Sequence, residues 1–451
     1  MFKIVNNAFV YTGEFDHVAY MDASLKHDLG DLAIVQVSKD EFLAMSLNND
    51  GEATDVSKDR EIGKFDKRGS SLSPAVDTVN SILKSAISSN ASDVHIEPFE
   101  DETVVRARID GVLKIIDSFD SNLSLMVSSR IKIMSGLDIS ETRLPQDGRI
   151  SFAVDEGKFD LRVSFIPVSS GERIVIRILD KRSEKLSIDG LGMPEKVKSI
   201  YRDFLAKKHG VVILSGPTGS GKTTTLYAGI EHVKDEGLNI MTIEDPVEYD
   251  LKGISQTQVN EKVGMTFSSG LRSILRQDPD VLMIGEIRDP ETAKIAIQSS
   301  LTGHLVLTTL HTNTSAGSVA RLVDMGLDPV LISASISGVI SQRLLRVLCK
   351  ECKEEVDLED YEREFSGGLK RAFKACGCKS CNGTGYKGQA PIYEVLIIDS
   401  NIKKLIHQKA SEEDLFDSIV EKGLTLKGSA LSLVKSGHTS IDEVLRGIGF
   451  D

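Results

Sequence analysis

Four short apolar runs lie in the middle of the chain, and each is followed by polar, loop-like residues. The runs are Val211–Ser215, Ile240–Ile243, Val281–Ile284 and Leu305–Thr309. A strand that is buried on both faces, as in a parallel sheet covered by helices, has such a continuous apolar sequence. The pattern therefore predicts an α/β fold with a parallel sheet for residues 183–348. Because ligands bind beyond the carboxyl ends of parallel strands, we expect the chemistry directly after these runs.

The part of the chain before this sheet combines a helical pattern with β-type segments. Apolar residues at positions 76, 79, 82, 83 and 87 have helical spacing. Val104–Ile109 and Val112–Ile116 are joined by Asp110-Gly111, a dipeptide that tolerates the positive φ angles of a type I′ hairpin turn. Residues 73–182 are therefore predicted to form an α+β domain.

Two further β-type segments of this domain carry an arginine opposite their apolar residues. Asp160–Phe165 has Arg162 and Ile174–Leu179 has Arg177 at the polar positions of the alternation. A solvated strand face is the ordinary explanation of such arginines.

Residues 1–72 mix short apolar runs with polar turns, and the stretch 48–69 is charged and punctuated by glycine. A small α/β unit followed by a mobile linker is the interpretation that we favour. We recognise no catalytic or ligand-binding motif in this segment.

The segment between the first apolar run and the next helix has the sequence of a phosphate-binding P-loop. Gly216–Thr223 reads GPTGSGKT in the strand-loop-helix context that gives the motif its meaning. The glycines let backbone N–H groups surround a phosphate at a helix N-terminus. Lys222 is expected to contact the β- and γ-phosphates, and the Thr223 hydroxyl to hold Mg²⁺. The sequence predicts binding of ATP or GTP by Gly216, Pro217, Thr218, Gly219, Ser220, Gly221, Lys222, Thr223 and Thr224.

Acidic residues follow the second and third apolar runs. Hydrolysis of a γ-phosphate needs Mg²⁺ held in place and a carboxylate that orients the attacking water. We expect Glu286, at the Walker B position, to hold Mg²⁺ through water and Glu244 to orient the nucleophile, although the two roles could be exchanged. His311 follows the fourth run, where it could bind a phosphate or relay the nucleotide state. His304, at the other end of that run, is a weaker candidate.

Arginines are the candidates for stabilising the charge of the transition state. Arg272, Arg276 and Arg288 lie in the α/β part, and Arg162 and Arg177 in the domain before it. An arginine supplied from outside the P-loop domain can act as a finger that couples hydrolysis to the placement of subunits.

All five cysteines lie between positions 349 and 381. Cys349 with Cys352, and Cys378 with Cys381, form two C-x₂-C pairs separated by 25 residues. Four thiolates satisfy tetrahedral zinc, so we expect a structural zinc site in a module of residues 349–395. Cys376 is the odd cysteine and is expected to be a free thiol. Residues 396–451 have an amphipathic helical pattern without catalytic residues.

Composition narrows the class of protein further. The chain has 451 residues, of which 40 % are hydrophobic and 27 % charged, which is typical of a globular protein. A formal charge of −13 argues against a protein that coats nucleic acid or an anionic membrane through its overall field. The chain has no apolar stretch of about 20 residues and no signal-peptide pattern, so we expect a cytoplasmic protein.

Several of these motifs together resemble those of one family, the type II secretion and type IV pilus assembly ATPases. The resemblance runs from about residue 73 to the C terminus. The motifs that carry it are residues 91–98, residues 144–149, the P-loop, the aspartate box 244–248, residues 271–289 and the histidine box 303–313.

The resemblance implies a hexameric motor with a RecA-like core and a PAS-like domain that closes on the nucleotide. In such a ring, Arg162 and Arg177 match arginines that approach the phosphates. The implied cofactors are ATP, Mg²⁺ and Zn²⁺. ATP-driven domain movement would turn an inner-membrane platform protein and drive pilin or pseudopilin into a filament, and a cytoplasmic docking protein would attach the motor to the membrane. The cysteine module resembles that of extension and secretion motors, which favours assembly over retraction, and no direct contact with nucleic acid is expected.

Two alternatives remain open at this stage. A DNA-uptake or conjugation ATPase belongs to the same superfamily, and a nucleotide-sensing scaffold would bind ATP without useful turnover. The presence of Glu244, Glu286 and His311 argues against the scaffold.

Overall fold

The structure is a computed structural model, and it describes residues 2–5, 8–11, 33–36, 74–154, 157–180 and 187–449. Near the N terminus, β1 (Phe2–Val5), β2 (Ala8–Tyr11) and β3 (Ala33–Gln36) form a sheet in that order. β1 and β2 are antiparallel, whereas β2 and β3 are parallel. The linker predicted before residue 73 lies outside the described residues.

Residues 74–180, termed the companion domain, form an antiparallel sheet covered by two helices. Their elements are α1 (Pro74–Ser88), β4 (Ala91–Pro98), β5 (Glu102–Ile109), β6 (Val112–Asp120), α2 (Ser121–Ser135), β7 (Gln146–Val154), β8 (Gly157–Val168) and β9 (Gly171–Asp180). The six strands have the order β6-β5-β4-β9-β8-β7. Apolar residues of both helices and of alternate strand positions share one core, which leaves the other face of the sheet polar.

Two sequence predictions for this domain are confirmed. Asp110 and Gly111 both have positive φ, at 48° and 80°, in the turn that joins β5 to β6. Arg162 and Arg177 face each other across β8 and β9, and Leu161 and Val163 on the opposite face are buried.

The α/β core contains a sheet with the order β12-β11-β13-β14-β10-β15-β18. Its elements up to residue 348 are α3 (Glu195–Leu205), β10 (Gly210–Ser215), α4 (Lys222–Val233), β11 (Ile240–Glu244), β12 (Ser255–Gln258), α5 (Phe267–Ile274), β13 (Val281–Ile284), α6 (Pro290–Leu301), β14 (Leu305–Leu310), α7 (Ser315–Asp324), α8 (Pro329–Ser335) and β15 (Ile336–Leu348). The four predicted apolar strands are β10, β11, β13 and β14, which pair in parallel. Their carboxyl ends therefore meet at one edge of the sheet.

The cysteine module and the C-terminal helices complete the described chain. Their elements are β16 (Glu354–Asp357), α9 (Asp360–Phe365), β17 (Arg371–Lys374), β18 (Tyr386–Ile397), α10 (Ser400–His407), α11 (Glu412–Glu421), α12 (Leu426–Lys435) and α13 (Ile441–Ile448). β18 pairs antiparallel with β15, so the chain re-enters the core sheet at residue 386, before the predicted end of the module at 395. Among the helices that the structure describes, we find none both long and apolar enough to span a bilayer.

Candidate active site

A cavity of about 1060 Å³ lies between the carboxyl edge of the core sheet and the polar face of the companion domain. From the core it is lined by Thr218, Gly219, Ser220, Gly221, Lys222, Thr223, Thr224, Glu244, Asp245, Pro246, Glu248, Gly285, Glu286, Arg288 and His311. From the companion domain it is lined by Ser92, Asp93, His95, Arg108 and Arg177, among others. The structure thus brings the predicted P-loop, both acidic strand ends, His311 and one predicted arginine of the companion domain around one space.

The P-loop curls tightly because its glycines adopt backbone angles that other residues avoid. Gly216 and Gly221 have φ of 140° and 83°, and a Cβ atom on Gly216 would come within 2.4 Å of the Gln342 carbonyl. α4 begins at Lys222, so its first backbone N–H groups point toward the cavity.

Gln342 on β15 holds this loop, and sequence reasoning missed it. Its side-chain Nε2 donates to the Ser220 carbonyl at 2.8 Å, and its Oε1 accepts from the Thr225 hydroxyl at 2.8 Å. The Gln342 side chain is buried, so both contacts form away from water. β15 also contains Ser341, Arg343 and Arg346, so its sequence does not single out Gln342.

Lys222 is buried and its ammonium group is held by the loop itself. Nζ donates to the Gly216 carbonyl at 2.7 Å and to the Pro217 carbonyl at 2.9 Å. Burial lowers the pKa of Lys222 to about 8, although the nearby charge of Glu286 opposes the shift. The protonation of Lys222 therefore depends on the charge of the groups beside it in the cavity.

Glu244 is buried at the end of β11, and hydrogen bonds reach both of its carboxylate oxygens. The Thr242 hydroxyl donates to Oε1 at 2.5 Å and the Gln256 amide to the same oxygen at 3.1 Å. The hydroxyl of Tyr227, on α4, donates to Oε2. These contacts fix the direction of the carboxylate, as a group that orients a water molecule requires.

Glu286, after β13, lies beside two groups that carry or can carry positive charge. Arg288 forms an ion pair with it, and the His311 ring Nε2 lies 3.0 Å from Oε2. Arg288 also reaches Asp245, with Nη1 3.2 Å from Oδ2. Hydrogen bonds and ion pairs thus connect the polar residues that follow β11, β13 and β14.

The two arginines of the companion domain take different positions. Arg177 lines the cavity and forms an ion pair with Asp93, with Nε 3.1 Å from Oδ1. Arg162 lies beside the residues after β11, where Nη2 donates to the Val247 carbonyl at 2.9 Å and lies 3.4 Å from a Glu248 carboxylate oxygen. Asp93, Val247 and Glu248 belong to the motifs 91–98 and 244–248, but sequence reasoning did not predict their contacts with Arg177 and Arg162.

A second contact joins the companion domain to the start of β18. The Gly388 N–H donates to the Asp110 carboxylate at 2.9 Å, so the tip of the β5-β6 hairpin touches the start of β18. Together with the contacts of Arg162, this contact holds the two sides of the cavity together.

Arg272 and Arg276 do not line the cavity of their own chain. Arg272 is exposed and forms an ion pair with Glu291, and Arg276 Nη1 donates to the Arg272 carbonyl at 2.8 Å. His304 lies at the opposite end of β14 from His311, and its Nδ1 is 2.8 Å from the Ser299 carbonyl. The surroundings of His304 are those of a residue that supports the end of α6.

The four paired cysteines form a cluster in which all sulfur atoms lie within 4.8 Å of one another. Cys349 and Cys378 are 3.8 Å apart, as are Cys352 and Cys381. A tetrahedron with Zn–S bonds of about 2.3 Å has S···S edges of about 3.8 Å, so the sulfur positions fit zinc.

The surroundings of the cluster favour the thiolate of Cys381 but not that of Cys352, whose pKa burial raises to about 12. Although burial opposes the shift, backbone N–H groups of Cys378 and Gly385 lower the pKa of Cys381 to about 6. Cys376 is exposed and stands outside the cluster.

Comparisons with known proteins agree with this geometry. Residues 69–446 match the family described as Type II/IV secretion system protein. The chain is 48 % identical over 377 residues to the type II secretion system protein E of Pseudomonas aeruginosa, covering 83 % of this chain and 75 % of that protein. The type II secretion system ATPase E of Vibrio cholerae is 47 % identical over 377 residues, with the same coverage.

Solved structures show a similar fold. The pilus retraction motor PilT with bound ADP superposes with a TM-score of 0.56 at 26 % identity, covering 81 % of this chain and 95 % of that one. The Legionella pneumophila ATPase DotB superposes with a TM-score of 0.60 at 20 % identity, covering 84 % and 96 %.

Proposed function

Because the chain belongs to the type II/IV secretion system protein family and is a secretion or pilus assembly ATPase, we propose that it works as a homo-hexameric motor with a moving companion domain. One observation carries this proposal: the P-loop, two acidic strand ends and Arg177 of the companion domain line a single cavity. A nucleotide bound there would contact both domains at once. Its hydrolysis would then change the forces that hold the domains together.

The residues of the core have distinct roles in this proposal. Lys222, which contacts the carbonyls of Gly216 and Pro217, would bind the β- and γ-phosphates instead, and the Thr223 hydroxyl and Glu286 would hold Mg²⁺. Bound Mg²⁺ neutralises phosphate charge. Glu244, whose carboxylate is fixed by three donors, orients the attacking water. His311 contacts Glu286 and senses whether a phosphate is present.

The arginines supply the positive charge that the transition state needs. Arg177 leaves Asp93 for the γ-phosphate, so the position of the companion domain depends on the nucleotide. Arg162 keeps that domain on the residues after β11, and Arg288 acts from within the core. Because Arg272 and Arg276 are exposed and lie outside their own cavity, we assign them to the site of the neighbouring subunit in the ring.

The cysteine module is proposed to hold one structural zinc ion through Cys349, Cys352, Cys378 and Cys381. Four protein ligands leave no open coordination position, so the ion would contribute to stability and not to the reaction.

We further propose that the motor drives assembly of a type II secretion pseudopilus, because its curated relatives are named for that system. The partners would be an inner-membrane platform protein and a cytoplasmic docking protein, and these would hold the motor at the inner membrane. A type IV pilus or a DNA-uptake filament would need the same chemistry. The identity of the pilin or pseudopilin genes beside this one would help to distinguish these systems.

Turnover and domain movement test the proposal separately. ATP hydrolysis by wild type is expected to exceed that of Lys222→Ala and of Glu286→Ala at least tenfold, at matched protein concentration. Equal rates in all three proteins would overturn the assignment of the site.

Spin labels on Ile115→Cys and Val263→Cys, both highly exposed, measure the movement in a Cys376→Ser background. Their distance is expected to change between ADP and a non-hydrolysable ATP analogue, whereas a pair at Val263 and Leu301 within the core keeps its distance. An unchanged distance in the first pair would leave an ATPase without the proposed movement.

A further inference from the structure

The hydroxyl of Tyr227 lies between the buried acid of the site and the segment that holds the companion domain. Tyr227 is on α4, five residues after Lys222, and is fully buried. Its hydroxyl donates to Glu244 Oε2 and accepts from the Glu248 N–H at 3.3 Å. One oxygen atom thus serves as donor on one side and as acceptor on the other.

The surroundings of Tyr227 keep this arrangement fixed. Its ring packs edge-on against Tyr249, with 4.7 Å between ring centroids and an interplanar angle of 85°. Burial, together with the hydrogen bond to Glu244, raises the pKa of Tyr227, so the hydroxyl stays protonated and can donate.

The two oxygens of Glu244 are held by different parts of the protein. Oε1 accepts from Thr242 and Gln256, which lie on β11 and its neighbour β12. Oε2 accepts from Tyr227. The orientation of the carboxylate about its own axis therefore depends on the Tyr227 hydroxyl.

The group that donates to the Tyr227 hydroxyl is in turn connected to the companion domain. The Glu248 N–H that reaches the hydroxyl belongs to the peptide unit whose carbonyl is that of Val247. That carbonyl accepts from Arg162 of the companion domain at 2.9 Å, and the Glu248 carboxylate lies 3.4 Å from the same guanidinium. A single peptide unit thus contacts Tyr227 through its N–H and Arg162 through its carbonyl.

We propose that Tyr227 is a positioning residue that makes the orientation of Glu244 depend on the docking of the companion domain through Arg162. The peptide between Val247 and Glu248 occupies the acceptor side of the hydroxyl while Arg162 holds that peptide. This directs the hydroxyl hydrogen to Glu244. When Arg162 no longer donates to the Val247 carbonyl, this peptide shifts, and the hydrogen of the Tyr227 hydroxyl is no longer directed to Glu244. The proposal rests on the role of Glu244 proposed above. It adds the contacts through which the position of the companion domain affects the orientation of Glu244.

The test compares steady-state ATP hydrolysis by the full chain and by Tyr227→Phe, which keeps the ring and its packing. A carboxylate that acts only in the transition state affects kcat and kcat/KM together. We therefore expect kcat to fall about fivefold to tenfold, the effect of one lost hydrogen bond, with KM for ATP within twofold. Rates are expressed per nucleotide site, titrated with a fluorescent ATP analogue, so that unfolded protein does not lower kcat.

Two variants serve as matched controls. Tyr201→Phe also removes a buried hydroxyl, since Tyr201 on α3 donates to the Thr225 carbonyl of α4 at 3.0 Å, and it should leave kcat within twofold of wild type. Thr242→Val removes another donor to Glu244 but does not touch the Val247–Glu248 peptide. It should lower kcat by the same factor with or without Arg162.

The decisive measurement is made in an Arg162→Ala background. There Tyr227→Phe should lower kcat less than twofold, because the link to the companion domain is already broken. An unchanged kcat for Tyr227→Phe alone would overturn the proposal, as would a full fivefold to tenfold loss in the Arg162→Ala background. If wild type itself did not hydrolyse ATP, the proposed function would fail instead.

A second substitution covers the case in which Tyr227→Phe does not fold. Site-specific 3-fluorotyrosine at position 227 keeps the hydroxyl and makes it a stronger donor. It should change kcat at least twofold with KM unchanged, and an unchanged kcat would again overturn the proposal.

Discussion

The charge on Lys222 makes nucleotide binding depend on pH in a range where most lysines do not titrate. Burial lowers the pKa of Lys222 to about 8, and its ammonium is held by carbonyl groups that bind it less strongly than phosphate would. Phosphate oxygens favour the ammonium form, so the pKa rises in the complex and binding takes up a proton. Nucleotide affinity is therefore greatest below about pH 8, the pKa of Lys222 in the free protein, and falls as the pH rises from there toward the higher pKa of the complex.

The magnitude follows from the size of the shift. With a pKa of about 8, roughly 10 % of Lys222 is neutral at pH 7 and roughly 90 % at pH 9. The dissociation constant of ATP should then rise about tenfold between pH 7 and pH 9, or about 1.4 kcal/mol. The phosphate itself adds little to this change, because its last pKa is about 6.

Isothermal titration calorimetry with Mg²⁺ and a non-hydrolysable ATP analogue measures both affinity and proton uptake. At pH 8, two buffers with different ionisation enthalpies should reveal uptake of roughly half a proton for each nucleotide bound. Lys222→Gln is the control: it should bind more weakly at pH 7, without proton uptake and with little dependence on pH. A wild-type affinity that changes less than twofold between pH 7 and pH 9, together with no buffer-dependent heat, would refute the reasoning.

Three further predictions test other parts of the site and the module. Gln342→Ala should weaken ATP binding about tenfold in an equilibrium titration, because it leaves the Ser220 carbonyl without its buried partner; unchanged affinity would contradict this role. Arg177→Ala should lower kcat at least tenfold while KM stays within threefold, and equal kcat values would return Arg177 to a structural role. Cys378→Ser should remove zinc on elemental analysis and lower Tm by several degrees, whereas Cys376→Ser should change neither, and a zinc-free protein of normal Tm would disprove the structural metal site.

Much of the fold could be predicted because its signals are local. The apolar runs of the core identify their own strands, and Asp110-Gly111 specifies its own turn. The P-loop is recognisable for the same reason, since its glycines and Lys222 act within one loop of backbone.

Contacts between residues far apart in sequence could not be predicted in this way. Nothing in the local sequence of Tyr227 says that its hydroxyl reaches Glu244, 17 positions later, or that Gln342 holds a loop 122 positions before it. The C-x₂-C spacing located the cysteine cluster but not the return of the chain into the core sheet at residue 386, which depends on pairing between β15 and β18. Arg272 on α5 and Arg276 just after it lie outside the cavity, and this follows from the packing of the helix and not from its sequence pattern.

β15 contains both Gln342, which holds the phosphate-binding loop, and Leu348, the residue directly before the first cysteine of the cluster. A deletion of the cysteine module, residues 349–395, would begin directly after this strand and would remove most of β18, its antiparallel partner in the sheet. A shortened version would need a replacement that keeps β18 seated along this strand. The position of the phosphate-binding loop and the position of the first paired cysteine therefore both depend on this one strand.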